Sequence, residues 1–335
     1  MIRLLVRRLI SLVFVLFGMT VITFTLSHVV PADPAAAAAG LNASALEIST
    51  IRERMGLDRP LYQQYVFYME GLILRGDLGR SIASNLPVQD DLVRYLPASL
   101  ELAVFTILLY LPTGLVLGVL SARAAGGAVD AATRGFAILG LSVPVFWLGL
   151  IAQLVFYGWL GVLPATGRIG STFGPPPEVT GFFTVDALLA GNVAAFADAL
   201  RHLILPSVVL ALGNLTVVTR MTRSSVLEVL SQDFVRTARA KGLRERTVIT
   251  RHVLRNAMLP IVTVVALQMA ALIAWQFLVE TIFSWPGIGS WAVNSIMTLD
   301  FNAVMAVTLF GSVLYVALNF LADVSYLVFD PRIRY

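Results

Sequence analysis

Six stretches of about twenty mostly apolar residues dominate this chain, at 9–29, 100–120, 135–159, 204–221, 259–279 and 303–329. A helix needs about 20 such residues to cross the hydrocarbon of a bilayer, and in lipid only helices and closed barrels satisfy their own backbone. The chain therefore reads as an all-α integral membrane protein with six transmembrane helices. Charged residues occupy 13% of 335 positions and hydrophobic ones 58%, whereas about a quarter of a soluble domain is charged. Arg3, Arg7 and Arg8 precede the first stretch as they would in a signal peptide. Its uncharged run is longer than the roughly 7–15 residues of a signal's apolar core, so a retained helix is expected.

Orientation follows from the arginines and the single lysine. An even number of crossings puts both termini on one side with the 121–134 segment and the basic stretch from Arg220 to Arg255, whose loop runs over 223–257. That side holds sixteen Lys/Arg and the other eight, six of them in the long 30–99 segment. Both termini are expected in the cytoplasm. The net charge of +4 is spread over loops rather than gathered in one stripe, which argues against a nucleic-acid partner.

The 30–99 segment is too long for a linker. A helix is expected near 47–55, ended by Gly56, and a second from Pro60 to Leu74 with Leu61, Tyr65, Tyr68 and Leu72 on one face. The 162–203 segment, with Gly174-Pro175-Pro176-Pro177, reads as irregular with local helix near 186–200. No repeat of fixed period appears, so one membrane domain spanning 1–335 is expected.

Several chemistries are excluded or disfavoured. A phosphate-cradling loop needs a lysine followed by Ser or Thr, and Lys241 is followed by Gly242. There is no cysteine, and His28, His202 and His252 lie far apart, so neither a metal site nor a cofactor site is expected. Glu101, Glu280 and Asp323 sit near the ends of spans rather than mid-membrane, unlike the relays of ion-coupled carriers. No catalytic residue is assigned.

The basic segment from Asp233 to Pro260 is the most informative. Asp233 can cap a helix starting at Phe234, and Gly242 can end it about two turns later. Arg239 and Lys241 fall in the last turn, where cations suit the helix dipole. Phe234 and Ala238 would share a face, a knob beside a small residue, suited to a groove on another protein. The bland alternative is a basic loop touching lipid headgroups.

Read together, several motifs resemble the permeases of binding-protein-dependent ABC importers, in the dipeptide/oligopeptide/nickel branch. They are Pro31-Ala32-Asp33-Pro34, Gly76-Asp77-Leu78-Gly79-Arg80-Ser81, Arg236-Thr237-Ala238-Arg239-Ala240-Lys241-Gly242-Leu243 and His252-Val253-Leu254-Arg255-Asn256-Ala257. Glu280-Thr281-Ile282-Phe283-Ser284-Trp285-Pro286-Gly287-Ile288-Gly289 and Asp330-Pro331-Arg332-Ile333-Arg334-Tyr335 complete the set. The sequence departs from the broad family where Arg236-Thr237-Ala238 replaces Glu-Ala-Ala, and where the proline after the glycine is delayed to Pro260.

The resemblance implies a type I ABC-importer permease fold with a structured outer loop after the first helix. It implies partners: a second homologous permease, two ATPase subunits that carry the ATP and magnesium, an extracytoplasmic binding protein, and membrane lipid. Phe234 and Arg236 to Leu243 would couple to an ATPase. Pro144, Asn214, Thr216, Gln268 and Gln276, as breaks or polar groups in the spans, are candidates for the cargo path. Trp285, Pro286 and Gly287 would gate the outer mouth or meet the binding protein. Short peptides are the expected cargo, with nickel, glutathione and haem as alternatives, and a stand-alone carrier, channel or enzyme anchor as rivals from other classes.

Overall fold

Every apolar stretch is helical in the computed structural model, which describes residues 2–29, 34–39, 43–54 and 56–329. The Pro31-Ala32-Asp33 and 330–335 motifs lie outside the described residues. In chain order the helices are α1 (Ile2–Val29), α2 (Pro34–Ala39), α3 (Ala45–Arg54), α4 (Leu61–Glu70), α5 (Val88–Arg123), α6 (Ala128–Ser142) and α7 (Val145–Ala152). They continue with α8 (Phe183–Leu189), α9 (Val193–Leu230), α10 (Asp233–Ala240), α11 (Glu245–Thr247), α12 (Leu254–Ile282), α13 (Ile288–Met297) and α14 (Phe301–Phe329). Three π-helical segments, Gly71–Arg75, Gln153–Trp159 and Val248–Val253, extend α4, extend α7 and precede α12. Among the described residues β-structure is limited to one isolated bridge, Arg80 to Pro87.

Among the described residues four helices are long and apolar enough to cross a bilayer: Val88–Arg123, Val193–Leu230, Glu245–Ile282 and Phe301–Phe320. A fifth crossing exists if α6 and the α7 arm count as one span, and α1 adds the apolar Ile10–Thr25. The third stretch is not the single straight helix expected from the sequence. Its two arms meet at 100°. Val143 precedes a proline and is pushed into extended conformation (φ −96°, ψ 124°), which ends α6, and Pro144 starts α7.

The described residues pack as two units, those within 2–99 with 286–316, and 100–285 with 317–329. In the first, α4 lies on α1. The Tyr65 hydroxyl shares a 2.9 Å hydrogen bond with Thr20, and its ring meets Phe24 edge-on at 5.2 Å. Tyr68 stacks on Phe24 at 6.3 Å, while Leu61 is exposed and the π segment at Gly71 interrupts the expected four-residue face. The Gly76–Ser81 motif forms a turn seated on the start of α14. Ser81 donates to buried Asp300 at 2.5 Å, and Asn302 donates to the Arg80 carbonyl at 2.9 Å. Tyr95 stacks on Trp291 of α13 at 5.5 Å.

In the second unit α9 is central. Two-thirds of its apolar window is buried, against 22–28% for the other three long helices. It packs on α12, α6, α7 and α8, and α5 meets it through Tyr110, Ala211, Leu215 and Val218. The approach is closest at Gly118, where a Cβ would lie 2.5 Å from the Thr222 Cβ and 2.8 Å from the Thr219 carbonyl oxygen. Overpacking of this kind costs about 1–3 kcal/mol. Gly118→Leu is expected to lower the thermal stability of the detergent-solubilised protein. Gly135→Leu, where a Cβ meets nothing within 4 Å, should leave it unchanged or raise it. Equal melting of the two variants would contradict this packing.

Candidate functional site: a capped basic helix on the membrane bundle

Helix α10 is short, and its two sides differ. Val235 and Ala238 are buried with Ala122, Val226, Val248, Ile249, Val253, Ala257 and Ile261, so the helix is anchored to α5, α9, the Val248–Val253 segment and α12. Phe234, Arg236, Thr237, Arg239, Ala240, Lys241, Gly242 and Leu243 are exposed. Two expectations are corrected. The cap position is Gln232, with no side-chain cap bond, and Asp233 lies in the first turn. Phe234 and Ala238 also part company: Ala238 turns inward with Val235, and Phe234 stands 42% exposed at the rim.

The end of α10 is a Schellman motif. The Gly242 N–H donates to the Arg239 carbonyl at 2.9 Å, and the Leu243 N–H to the Ala238 carbonyl at 3.4 Å. Gly242 has φ +72°, the left-handed conformation that favours glycine. Past the turn, Glu245 accepts from Arg239 Nε at 3.1 Å and Nη2 at 2.8 Å, tying the end of α10 to the start of α11. Stop, turn and return thus form one braced unit. Its outer surface combines apolar Phe234 and Leu243 with a basic rim. The return is not plain α-helix, because the Val248–Val253 segment is π-helical.

Beside this unit lies a polar joint absent from the sequence reading. Buried Asp130 accepts from Ser121 Oγ (2.6 Å), the Gly126 N–H (3.0 Å), Arg223 Nε (2.6 Å) and Arg223 Nη2 (2.9 Å). It links α5, the turn after it, α6 and the last part of α9. The two charged partners are 93 positions apart, so local spacing gave no sign of the pair. An acidic residue in an otherwise basic loop was the available hint.

The polar groups proposed for the spans are not gathered into one site. Asn214 donates to the Leu210 carbonyl at 2.8 Å and Thr216 to the Leu212 carbonyl at 3.1 Å, both within α9 and buried. Gln276 is buried and donates to Glu280 at 2.8 Å. Gln268 is half-buried and makes no side-chain hydrogen bond among the described residues. Pro144 is exposed at the bend.

At the other end of α9 a buried ion pair holds the 162–190 segment. Arg168 Nη2 donates to Glu101 at 2.5 Å and to the Gly181 carbonyl at 2.8 Å, and Glu101 also accepts from the Thr184 N–H and hydroxyl. The guanidinium lies 3.7 Å over the Phe183 ring and 5.6 Å from that of Trp285. Trp285 itself is buried, Pro286 exposed and Gly287 buried. The expected local helix near 186–200 is two helices, α8 and the first turns of α9, where Asn192 caps by accepting from Ala195 N–H at 3.0 Å.

Asp186 organises the turn before α8. Burial alone would raise its pKa, but hydrogen bonds from the Thr180 hydroxyl and the Thr180, Val179 and Gly181 N–H groups outweigh that and lower it. A carboxyl depressed in the folded state adds stability above its unfolded pKa, and that contribution disappears as pH falls through the folded value. Protection of the 178–190 amides, taken relative to their intrinsic exchange rates at each pH, is therefore expected to be flat near neutrality and to fall below about pH 4. Asp186→Asn should exchange faster at pH 7 with no acid-dependent step. An unchanged acid step in that variant would exclude Asp186 as its source.

Residues 114–335 match the family described as "Binding-protein-dependent transport system inner membrane component", and residues 1–103 match its N-terminal companion. The chain is 46% identical over 323 residues to the probable D,D-dipeptide transport system permease of Escherichia coli K12, covering 96% of this chain and 95% of that protein. It is 40% identical over 339 residues to the dipeptide transport system permease of the same strain, covering 100% and 99%. Against the glutathione transport system permease of E. coli O6:H1 it is 34% identical over 330 residues, covering 98% of each. Among the described residues no group of three or more His, Cys, Asp or Glu is placed to hold a metal ion. The helical membrane architecture and these matches place the chain in the binding-protein-dependent transport system inner-membrane component family, the multi-pass permeases of ABC importers.

Proposed function

We propose that this chain is one membrane domain forming half of the translocation path for short peptides, paired with a second homologous permease and driven by two ATPase subunits. The single observation that supports it most is the braced α10 unit: an apolar inner side packed into the bundle, and an outer side offering Phe234 and Leu243 within a basic rim. In this reading Phe234, Arg236, Thr237, Ala240, Lys241 and Leu243 meet the ATPase. Val235 and Ala238 hold the helix to the bundle, and Arg239 and Gly242 fix its end. ATP shifts the transporter because the closed ATPase pair fits only one arrangement of the two coupling helices; only such differential affinity moves a two-state equilibrium. The ATP and magnesium belong to the partners.

The excess of basic residues supports cytoplasmic termini and a cytoplasmic α10. Small peptides are favoured as cargo because permeases with 46% and 40% identity are named for dipeptides, and the third relative for glutathione, itself a tripeptide. Among the span residues Gln268 is the best placed to touch cargo, since Asn214, Thr216 and Gln276 spend their donors inside the chain. Exposed Pro286 is the better candidate for contact with the binding protein, with buried Trp285 and Gly287 shaping its turn. Pro286→Ala is expected to reduce uptake without changing ATPase-subunit assembly; normal uptake would remove it from the contact.

Reconstitution tests the whole reading. Labelled dipeptide should enter proteoliposomes only when this chain, the second permease, the ATPase subunits, the binding protein and ATP are all present. Flux through the chain reconstituted alone would refute it.

A further inference from the structure

A cavity of about 320 Å³ opens between α6 and α9, its walls almost wholly apolar, with Arg134, Arg220 and Arg223 among the residues around it. Its composition is uneven. Ala137, Ile138 and Leu141 form one apolar wall, and Ile138 and Leu141 are more than half exposed, as lipid-facing side chains are. Three arginines surround the cavity against a single carboxylate, Asp130. Arg223 takes it in two hydrogen bonds, Arg134 reaches it only at 3.6 Å with its side chain 58% exposed, and Arg220 has no acidic partner among the described residues. Thr133 and Thr216 donate their hydroxyls to carbonyls of their own helices, while the buried Thr219 hydroxyl has no hydrogen-bond partner.

The site thus carries an excess of about two positive charges beside an apolar wall. Its height along the helices is informative. Arg134 immediately precedes the third apolar stretch and Arg220 lies in the last turn of the fourth, so both guanidiniums fall at the same boundary of the bilayer. We propose that this cavity seats one anionic phospholipid, with exposed Arg134 and Arg220 receiving the headgroup phosphate and the wall of Ala137, Ile138 and Leu141 taking the start of an acyl chain. A basic pocket between transmembrane helices selects anionic lipid by charge. The apolar wall distinguishes a lipid from a free phosphate or a peptide carboxylate, neither of which would use it. A lipid seated here would rest against the Asp130–Arg223 joint and so against the part of α9 that carries α10.

The test is native mass spectrometry of the full chain in detergent, titrated with phosphatidylglycerol or phosphatidylcholine of identical acyl chains. One phosphatidylglycerol should be retained with a preference of roughly thirtyfold, the gain from two cations beside a headgroup. The preference should vanish in the Arg134→Gln/Arg220→Gln double variant. It should survive in Arg134→Lys/Arg220→Lys, which keeps the charge and controls for folding. Equal retention of the two lipids, or a preference untouched by the glutamine pair, would overturn the proposal. Displacement of the lipid by glycerol 3-phosphate would show a phosphate site without a lipid requirement. Displacement by a dipeptide would show a cargo site. Either result also overturns it.

Discussion

Gly242→Val is expected to reduce ATP-coupled uptake about tenfold while leaving the protein inserted and the ATPase turning over. No side chain crowds this position, since a Cβ at Gly242 meets nothing within 4 Å. The penalty is conformational: at φ +72° a non-glycine residue costs about 1–2 kcal/mol, more when β-branched. Relieving that strain means opening the Schellman turn and losing the bonds from the Gly242 and Leu243 N–H groups. The outer surface of α10 would then no longer be fixed against the bundle. Asparagine tolerates the left-handed region, so Gly242→Asn should retain most of the uptake. The comparison is made in proteoliposomes with uptake and phosphate release measured together. Wild-type coupling in the valine variant would show that the turn does not transmit force.

Glu101→Ala is expected to destabilise the protein by about 3–5 kcal/mol, because removing one partner of a buried pair leaves the other charge uncompensated. The side chains of Arg168 and Glu101 are only 7% and 3% exposed. Without the carboxylate, Arg168 keeps the Gly181 carbonyl and the Phe183 ring, and its Nε already lacks an acceptor. The Thr184 N–H also loses its partner. Replacing the pair by apolar groups is a different experiment, since a buried ion pair roughly breaks even against well-packed hydrophobic residues. The Glu101→Met/Arg168→Met double variant should therefore recover much of the loss. Thermal unfolding in detergent, read by the monodisperse fraction on gel filtration, compares the three proteins. A Glu101→Ala variant as stable as the wild type would mean the pair contributes nothing.

Both predictions bear on what the sequence could tell. The spans were legible because lipid leaves a backbone few options, and the Gly242 turn because a left-handed helix stop has a chemical signature. Gly114 and Gly118, one turn apart on α5, leave space that α9 fills with Val218 and Thr222. The 100° break at Val143–Pro144 was half legible: proline marked a weak point, but its angle depends on what the arms pack against. The facing of α10 was misread because two helical periodicities fit eight residues, and the burial of Val235 is decided by partners at 122, 226 and 248 to 261. The Asp130–Arg223 and Glu101–Arg168 pairs were invisible for the same reason. Each joins residues many positions apart, and only tertiary packing brings them together.

The central claim is that the outer surface of α10 receives a foreign ATP-driven subunit on the cytoplasmic side. The chain has no cysteine, so Phe234→Cys creates a single reactive thiol at the exposed rim of the helix. In oriented membrane vesicles that thiol should react with an impermeant maleimide only from the cytoplasmic face. In the assembled transporter it should cross-link to an ATPase subunit in stoichiometric yield. Labelling from the opposite face, or the absence of any such cross-link in an assembly that still transports, would contradict the account.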